Sequence, residues 1–583
     1  MNQKMPFAVL GLCSGTHDSA AALISDGELV GLAEEERFNG DKHSSAYPEQ
    51  SVRWLLERAG LGPGHVTHVA YNFDPLRYLA AAPAAATYLF NPATARRAPA
   101  RARSFARVYR NARSRYDWFR AQFPNASVTG TEHHLTHGLY AFAASGADAA
   151  ALLIVDSLGE TATTTISRAQ RSGPGLRYRR LRTIRDPASL GYAYGAVTQH
   201  LGWRRGDEEG TVMALAALGD PARFRGLLRQ AIRITRTGFE LDPGLFPLRV
   251  LSSRWPRVSP AFTAASCPAR TPGDTVEQVH SDLAAALQER TEEVMLHLAR
   301  QARDLTGTDA LCVGGGVAMN CVAIGRIARE AGFAQVHVPP APADSGTAAG
   351  AAIARFSALT GSIPTGIADA CYLGPDYPGL ALGENPRPGL TATRIETPAR
   401  LLAQRLADGQ IIGLFRGRLE AGPRALGNRS ILASPLCGDI ADRLNATVKY
   451  REPFRPFAPV VLADHAAAYF TLAQPSPFMS LASGVTPLAR QMIPAIVHVN
   501  GTARVQTVTA QQHPFLAEVL TVFAEITGTP VLINTSLNIK GKPICGTPQQ
   551  ALDCLGESGL DALLIENWWV TKDPQRVRGG APQ

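Results

Sequence analysis

The chain has 583 residues, 45% hydrophobic and 18% charged, with a net charge of +9. That balance excludes a disordered chain and leaves length for more than one domain, each with a sizeable core. The positive excess suits small polyanionic substrates such as nucleotides and acyl phosphates, without itself demonstrating nucleic-acid binding. The eight cysteines are scattered, with no Cys-x-x-Cys pair, which points to buried thiols in a reducing cytoplasm. Lys4 is followed by an apolar run, Phe7–Leu12, too short for a membrane span and without a cleavage signal, so the run reads as a first strand of a cytoplasmic protein.

In chain order, Phe7–Cys13 predicts a strand, Ser14–Ser19 a polar turn, and Ala20–Ser25 and Glu28–Ala33 two further strands joined by an Asp26-Gly27 hairpin. An amphipathic helix follows over Pro48–Ala59. Residues 78–120 are Ala-rich, then basic, with nine arginines from Arg96 to Arg120 against Asp117 alone. Interleaved aromatics make a lid over an anionic site or a nucleic-acid contact conceivable, but the stretch reads first as a solvated helical insertion. At 131–140, His133 and His137 stand four apart, on one helical face, a common way to hold a divalent metal. His134 points elsewhere, and the bland reading is a His-rich helix start.

Strand, Asp/Ser/Gly turn and strand recur at Ala150–Val155, Asp156–Glu160 and Thr161–Ser167. Two such copies predict an internal duplication like that of the actin-like sugar kinases and heat-shock ATPases, although Asp-Ser-Gly turns are common. Helices are expected over Gly191–Leu201, through Ala217, and over Asp274–Leu305. The strand Ala310–Val313 runs into Gly314-Gly315-Gly316 and Asn320, a nucleotide contact or a plain tight turn. Asp344 follows a strand at Val336–Val338 and is either a helix N-cap or a metal ligand. With His133, His137 and Asp156 it would complete a mixed N/O shell suited to Fe²⁺, Mn²⁺ or Zn²⁺.

Composition shifts over 356–400, which places a domain boundary near 370. Beyond it come a helix at Arg400–Asp408, a strand at Ile411–Phe415 and a loop rich in arginine, glycine and proline. Between 411 and 460 there are eight Lys/Arg and four acids. Guanidinium groups presented by Gly-Pro-Arg-Ala-Leu-Gly would bind phosphate bidentately, and Lys449 would add a point charge. The alternative is surface ion pairing among Arg418, Glu420, Arg451 and Glu452. A hairpin over Val497–Val508 carrying Arg504, a helix at Leu516–Ile526, a strand at Pro530–Ile533 ending in Asn534–Asn538, a helix capped by Thr547 and a last strand at Asp561–Ile565 complete a second α/β domain.

Together these stretches resemble the antibiotic and nodulation-factor O-carbamoyltransferases over nearly the whole length. The carriers are His17–Ala21, Glu34–Phe38, His133–His137, Gly314–Asn320, Gly417–Glu420, Gly422–Ser430, Arg451–Pro459 and Asn534–Asn538. The resemblance implies an α/β protein in two parts. Residues 1–370 would be an actin-like carbamoyl-transfer domain, similar to the threonylcarbamoyl-transfer protein of tRNA modification. Residues 371–583 would resemble threonylcarbamoyl-adenylate synthase. It implies a metal on His133, His137, Asp156 and Asp344, a transfer site with His17 and Lys42, and nucleotide contacts at Gly314, Gly315, Gly316 and Asn320. Carbamoyl phosphate and ATP, with Mg²⁺, would meet Arg418, Arg424, Lys449, Arg455, Arg504, Asn534, Ser536 and Asn538. The carbamoyl group of a carbamoyl-adenylate made in the second domain would then pass to a hydroxyl of a natural product in the first, with Fe²⁺ (or Mn²⁺ or Zn²⁺) at the metal site and His17 as candidate general base. No nucleic-acid or membrane partner is expected; a homodimer is compatible.

The chain departs from the family where a Lys is usual within Glu209–Met213, where an aromatic is usual within Ala216–Gly219, and at Ala421, usually Phe. These bear on local nucleotide and acceptor packing. The competing readings are a tRNA threonylcarbamoylation-type enzyme and an actin-like nucleotide-binding regulator without transfer chemistry.

Overall fold

The structure, a computed structural model, describes residues 7–15, 17–79 and 86–573. Lys4, Thr16 and residues 80–85 of the Ala-rich stretch lie outside them. The chain divides into two compact units, Met1–Glu35 with His43–Ala370, and Glu36–Lys42 with Cys371–Gln583.

In the first unit, strands β1 (Ala8–Cys13), β2 (Ala20–Ser25), β3 (Glu28–Glu34), β4 (His68–Tyr71) and β5 (Ser127–Gly130) form a sheet in the order β3-β2-β1-β4-β5. The first three are antiparallel, and β4 and β5 add in parallel. At the β2–β3 turn, Asp26 and Gly27 have φ of 47° and 90°, the left-handed pair that a tight hairpin requires. Next come β6 (Ala149–Val155), β7 (Ala162–Ser172), β8 (Gly175–Arg185), a separate hairpin of β9 (Ile232–Thr235) and β10 (Gly238–Leu241), then β11 (Ala310–Gly314) and β12 (Gln335–His337). The second sheet runs β8-β7-β6-β11-β12, again antiparallel on one side of its central strand and parallel on the other. The two sheets therefore share one plan, strand for strand, and this half of the protein is a duplicated, actin-like α/β unit. The strands β1–β2–β3, β6–β7, β11 and, shifted by one residue, β12 show in the sequence; β7 runs on past Ser167 to pair with β8.

The helix Thr347–Thr360, almost all Ala, Gly and Thr in its first turns, is the spine of this unit. A Cβ on Gly11 of β1 would stand 2.0 Å from the Ala348 carbonyl oxygen. One on Gly350 would stand 1.9 Å from the Thr136 carbonyl oxygen, in the helix His133–Ser145. Absent side chains thus let sheet, spine and His-bearing helix close on each other. The basic helix Ala98–Gln122 is not simply solvated: Ala112 and Phe119 lie in the core, Trp118 stacks on Tyr47 at 4.1 Å, and Tyr116 meets Tyr71 edge-on.

The second unit has an eight-stranded sheet of β13 (Leu390–Arg394), β14 (Ile412–Phe415), β15 (Arg429–Ala433), β16 (Ala458–Leu462), β19 (Gln506–Val508), β20 (Val531–Ser536), β21 (Ala562–Ile565) and β22 (Trp568–Lys572), while β17 (Ala482–Gly484) and β18 (Thr502–Arg504) pair apart from it. Its order is β13-β22-β21-β14-β15-β20-β16-β19. Alternation splits each strand between two cores. Leu432, Val460, Leu532 and Leu564 face the helices Pro398–Ala407 and Pro514–Thr527. Ile431, Val461, Ile533 and Leu563 belong to the opposite core, with Ala551 and Leu555 of the helix Pro548–Glu557.

Three expectations are corrected here. The turn at Asn500-Gly501 closes, but its flanks do not form one hairpin: β18 pairs antiparallel with β17, and β19 runs parallel to β16. The strand at Ala562–Ile565 is not the last, because β22 folds back on it. Arg429 of the basic loop does not reach outward. It is fully buried over the Phe415 ring and donates to the carbonyls of Arg416, Gly417 and Asn428. No helix among the described residues is long and apolar enough to cross a membrane.

Candidate metal centre and anion site

His133 and His137 lie on the first turns of the helix His133–Ser145, Asp156 just past β6, and Asp344 in the turn before the spine helix. All four are buried, and one ligand atom from each lies within 4.8 Å of the others. His133 Nε2 is 3.1 Å from His137 Nε2 and 3.5 Å from both Asp156 Oδ2 and Asp344 Oδ1, and His137 Nε2 is 3.7 Å from Asp344 Oδ1. Two imidazoles bound to one tetrahedral cation at about 2.0–2.1 Å would place their nitrogens about 3.3 Å apart, so the donor set fits a divalent ion. Burial alone would push the His133 imidazole down, but the carboxylates of Asp344 and Asp156 raise it well above its usual value. Four donors closing on one point with two negative charges call for a cation, proton or metal.

The surroundings fix this geometry. His133 Nδ1 faces the Asn72 carbonyl at 3.3 Å, and its ring is stacked on Phe73 at 4.5 Å. That sets the tautomer and aims Nε2 inward. The Gly316 N–H donates to Asp156 Oδ1 at 3.0 Å, and Gly315 reaches this position at φ 88°, where a Cβ would strike the Val155 carbonyl. The glycine run thus braces the Asp156 carboxylate of the quartet. Asn320 caps the helix Cys321–Glu330 and exchanges hydrogen bonds with Gln288. Asp344 is not a side-chain cap of the spine helix, whose N-cap is Gly346. His134 turns to Thr165 Oγ1 at 3.3 Å, outside the converging four.

Glu160 was not singled out by the sequence. It is buried, and it accepts the N–H groups of Asp74 (2.9 Å) and His133 (3.2 Å), so it holds the N-terminus of the helix that carries His133 and His137. Glu160→Ala is expected to weaken metal affinity about 10–100-fold in a chelator competition, as loss of a supporting shell does, whereas Glu160→Gln, which keeps an acceptor, retains most of it.

His17 is exposed, with Nδ1 2.9 Å from Asp18 Oδ2. Lys42 falls in the Glu36–Lys42 segment that belongs to the second unit.

In the second unit, Lys449 ends a π-turn, Asn445–Lys449, followed by Tyr450 at φ 46°, the kind of local irregularity that re-aims a side chain. Its buried ammonium donates to the carbonyl oxygens of Ser536 and Asn538, and to Asn538 Oδ1 at 2.8 Å. Burial, with the nearby Arg451 and Arg455, pulls it down to about 7. Arg451, unassigned by the sequence, donates to Asn445 Oδ1 (2.9 Å) and lies over the Phe457 ring. Burial and the charges of Arg455 and Arg504 bring it to about 9. Lys449, Arg451, Arg455 and Arg504 therefore crowd positive charge together. Asn534 Nδ2 ties Gln506 Oε1 (2.7 Å) to the Ala425 carbonyl (3.3 Å), and Ser536 Oγ meets Asn538 Oδ1 (2.7 Å). Arg418 points to the carbonyls of Leu373 (2.7 Å) and Gly374 (3.3 Å), while Arg424 follows the Gly422 turn, where φ is 90°. Glu420 is no surface ion-pair partner. Buried, it accepts the N–H groups of Leu426 (2.8 Å), Asn428 (2.8 Å) and Arg429 (3.1 Å), and the whole loop wraps around it.

A duplicated actin-like unit with a buried two-His, two-Asp centre, followed by an α/β unit with a cluster of cations, defines a two-part group-transfer enzyme. The chain belongs to the carbamoyltransferase family. The family models Carbamoyltransferase N-terminus and Carbamoyltransferase C-terminus match residues 8–353 and 403–572. Nodulation protein NolNO of Sinorhizobium fredii is 34% identical over 95% of this chain and 79% of its own. An uncharacterised protein of Synechocystis is also 34% identical, over 98% of this chain and 97% of its own. The protein is thus a carbamoyltransferase, acting on small molecules.

Proposed function

We propose that the protein is an O-carbamoyltransferase of secondary metabolism. In this reading it forms carbamoyl-adenylate from carbamoyl phosphate and ATP, then transfers the carbamoyl group to a hydroxyl of a natural-product acceptor. The observation that carries it is the presence, in one chain of this family, of the His133–His137–Asp156–Asp344 quartet and of the cations around Lys449. Lys449, Arg451, Arg455 and Arg504 neutralise the phosphates of ATP and of carbamoyl phosphate; water hydrolyses carbamoyl phosphate to carbamate and inorganic phosphate, and a carbamate oxygen then attacks the α-phosphorus of ATP as pyrophosphate leaves. Arg424 is assigned to the same anions. In the first unit, His133, His137, Asp156 and Asp344 would hold Fe²⁺, or Mn²⁺ or Zn²⁺, which when bound supplies Lewis-acid polarisation. The Gly314–Gly316 turn and Asn320 would border the nucleotide. His17 takes the proton of the acceptor hydroxyl as AMP departs.

The test is pyrophosphate release from ATP that depends on carbamoyl phosphate, followed by a carbamoyl mass gain on a panel of hydroxylated antibiotics and lipo-oligosaccharides. Release that needs threonine and bicarbonate instead would favour threonylcarbamoylation, and no release would favour a regulator. Helix Ala98–Gln122 lends the tRNA reading little support, since its rings are engaged with Tyr47 and Tyr71.

Because Lys449 stands near 7, anion binding should take up a proton above that pH. The KM for carbamoyl phosphate is expected to rise by up to about tenfold per pH unit above neutrality, and Lys449→Arg should flatten that rise. A pH-independent KM in the parent enzyme would contradict the assignment.

A further inference from the structure

Four side chains of the first unit form a continuous path of hydrogen bonds leading away from His17. His17 Nδ1 meets Asp18 Oδ2 at 2.9 Å, and Asp18 Oδ1 meets His43 Nδ1 at 2.6 Å. His43 Nε2 meets Asp207 Oδ1 at 3.0 Å, and Arg204 Nη2 donates to Asp207 Oδ2 at 2.6 Å. Each carboxylate spends both oxygens on the path, and His43 spends both ring nitrogens.

The bonding pattern fixes the protonation of His43. An ionised carboxylate only accepts, so a ring held by a carboxylate at each nitrogen carries a hydrogen on both and is an imidazolium. Burial works against that charge, yet Asp18 and Asp207 raise the group to about 10. The backbone adds a second observation. Asp18 and His43 are both non-glycine residues in the left-handed region, at φ 54° and 56°. Such conformations persist only where the surroundings over-determine them. Here the two strained residues are joined directly to each other, at 2.6 Å. Neither belongs to the metal-ligating quartet, and His43 has no role in the chemistry derived above.

We propose that His43 is a positioning residue for carbamoyl transfer: held between Asp18 and Asp207, it fixes the Asp18 carboxylate, so that His17 donates from Nδ1 and keeps Nε2 as its basic nitrogen. The inference rests on the reading of His17 as the base. In the transfer step the acceptor oxygen bonds to the carbamoyl carbon, its proton passes to His17 Nε2, and the bond from that carbon to the AMP oxygen breaks, with AMP leaving as the anion. Asp18 then faces an imidazolium on either side. Because the His43 charge is permanent, Asp18 stays ionised and holds the His17 ring rather than taking its proton. Asp207, steadied by Arg204, anchors the far end.

The experiment uses the full-length, Zn²⁺-loaded protein with ¹⁵N-labelled histidine, followed from pH 7 to 9.5, because Asp344 and Asp18 raise His17 to about 9. His43 should show hydrogens on both ring nitrogens, and His17, as it loses its proton, a single tautomer protonated at Nδ1. In His43→Phe the His17 signal should lose its single-tautomer signature. In Asp207→Asn the His43 ring should lose one of its two hydrogens, and Asp207→Glu should restore it. With ATP, carbamoyl phosphate and glycerol as the hydroxyl probe, kcat for carbamoyl-glycerol should fall about a hundredfold in His43→Phe, while the KM for ATP and pyrophosphate exchange stay as in the parent. A singly protonated His43 in the parent, or an unchanged His17 tautomer in His43→Phe, would overturn the proposal and leave the base reading intact. A parental transfer rate in His17→Ala would instead remove the base reading, whatever the spectra show.

Discussion

Replacing His137 by alanine is expected to strip the first unit of its metal and most of its transfer activity while leaving adenylate formation intact. His137 Nε2 stands 3.1 Å from His133 Nε2 and 3.7 Å from Asp344 Oδ1, so its loss opens one side of the donor set and leaves two buried carboxylates with one imidazole. Removing a supporting group of a metal site costs about 10–100-fold in affinity, and a ligand itself should cost more than about a hundredfold. A Lewis acid is worth several kcal/mol to the transition state, so transfer should drop about a thousandfold. The measurements are metal content by mass spectrometry and carbamoyl transfer, beside ATP–pyrophosphate exchange as the control. Full metal occupancy in His137→Ala would mean that the four residues are not the ligand set.

The mirror-image result is expected of Arg455→Ala: pyrophosphate exchange lost about 10²–10³-fold, as when one pre-placed charge is taken from a phosphoryl-transfer site, with metal content unchanged. The ion pair between Arg455 and Glu452 is a weak one. Glu452 is 3.9 Å away and both groups are partly exposed, so the pair contributes little to stability. Arg451→Ala would be a poorer probe, since Arg451 also bonds Asn445 Oδ1 and the Pro456 carbonyl and covers Phe457. Arg455→Lys should recover only part of the rate, because an ammonium lacks the planar two-pronged grip. Exchange at the parental rate in Arg455→Ala would remove that residue from the anion site.

Residues whose chemistry is in their side-chain type and spacing were legible in the sequence: His133 with His137 at helical spacing, aspartates after predicted strands, and cations packed between 411 and 504. The duplication was half-legible, because β1–β2–β3 and β6–β7 are local hairpins, whereas β4 and β5 pair with strands far along the chain and β8, though it turns straight back on β7, is too rich in arginine to read as a half-buried strand. For the same reason the sequence suggested a hairpin at 497–508, where the strands pair with 482–484 and 460–462 instead. Glu160 escaped notice and Glu420 was read as a surface ion-pair partner, because their task is to accept backbone N–H groups, which leaves no pattern in residue type. Arg418 and Arg429 show the converse: arginines in a phosphate-like motif that are spent on backbone carbonyls.

Arg37 gives the boundary between the units a practical meaning. It lies in the short Glu36–Lys42 segment, far from the rest of the second unit in sequence, yet it is buried there. Its Nη2 donates to the Gly422 carbonyl at 2.8 Å, and Gly546 lacks a side chain where its own carbonyl presses in. The turn that presents Arg424 is therefore braced by a peptide encoded near the start of the gene. A fragment cut after residue 370 and expressed alone would carry its arginines on an unsupported turn. A synthetic peptide spanning 36–42, or its graft onto the fragment's end, would be the part to give back.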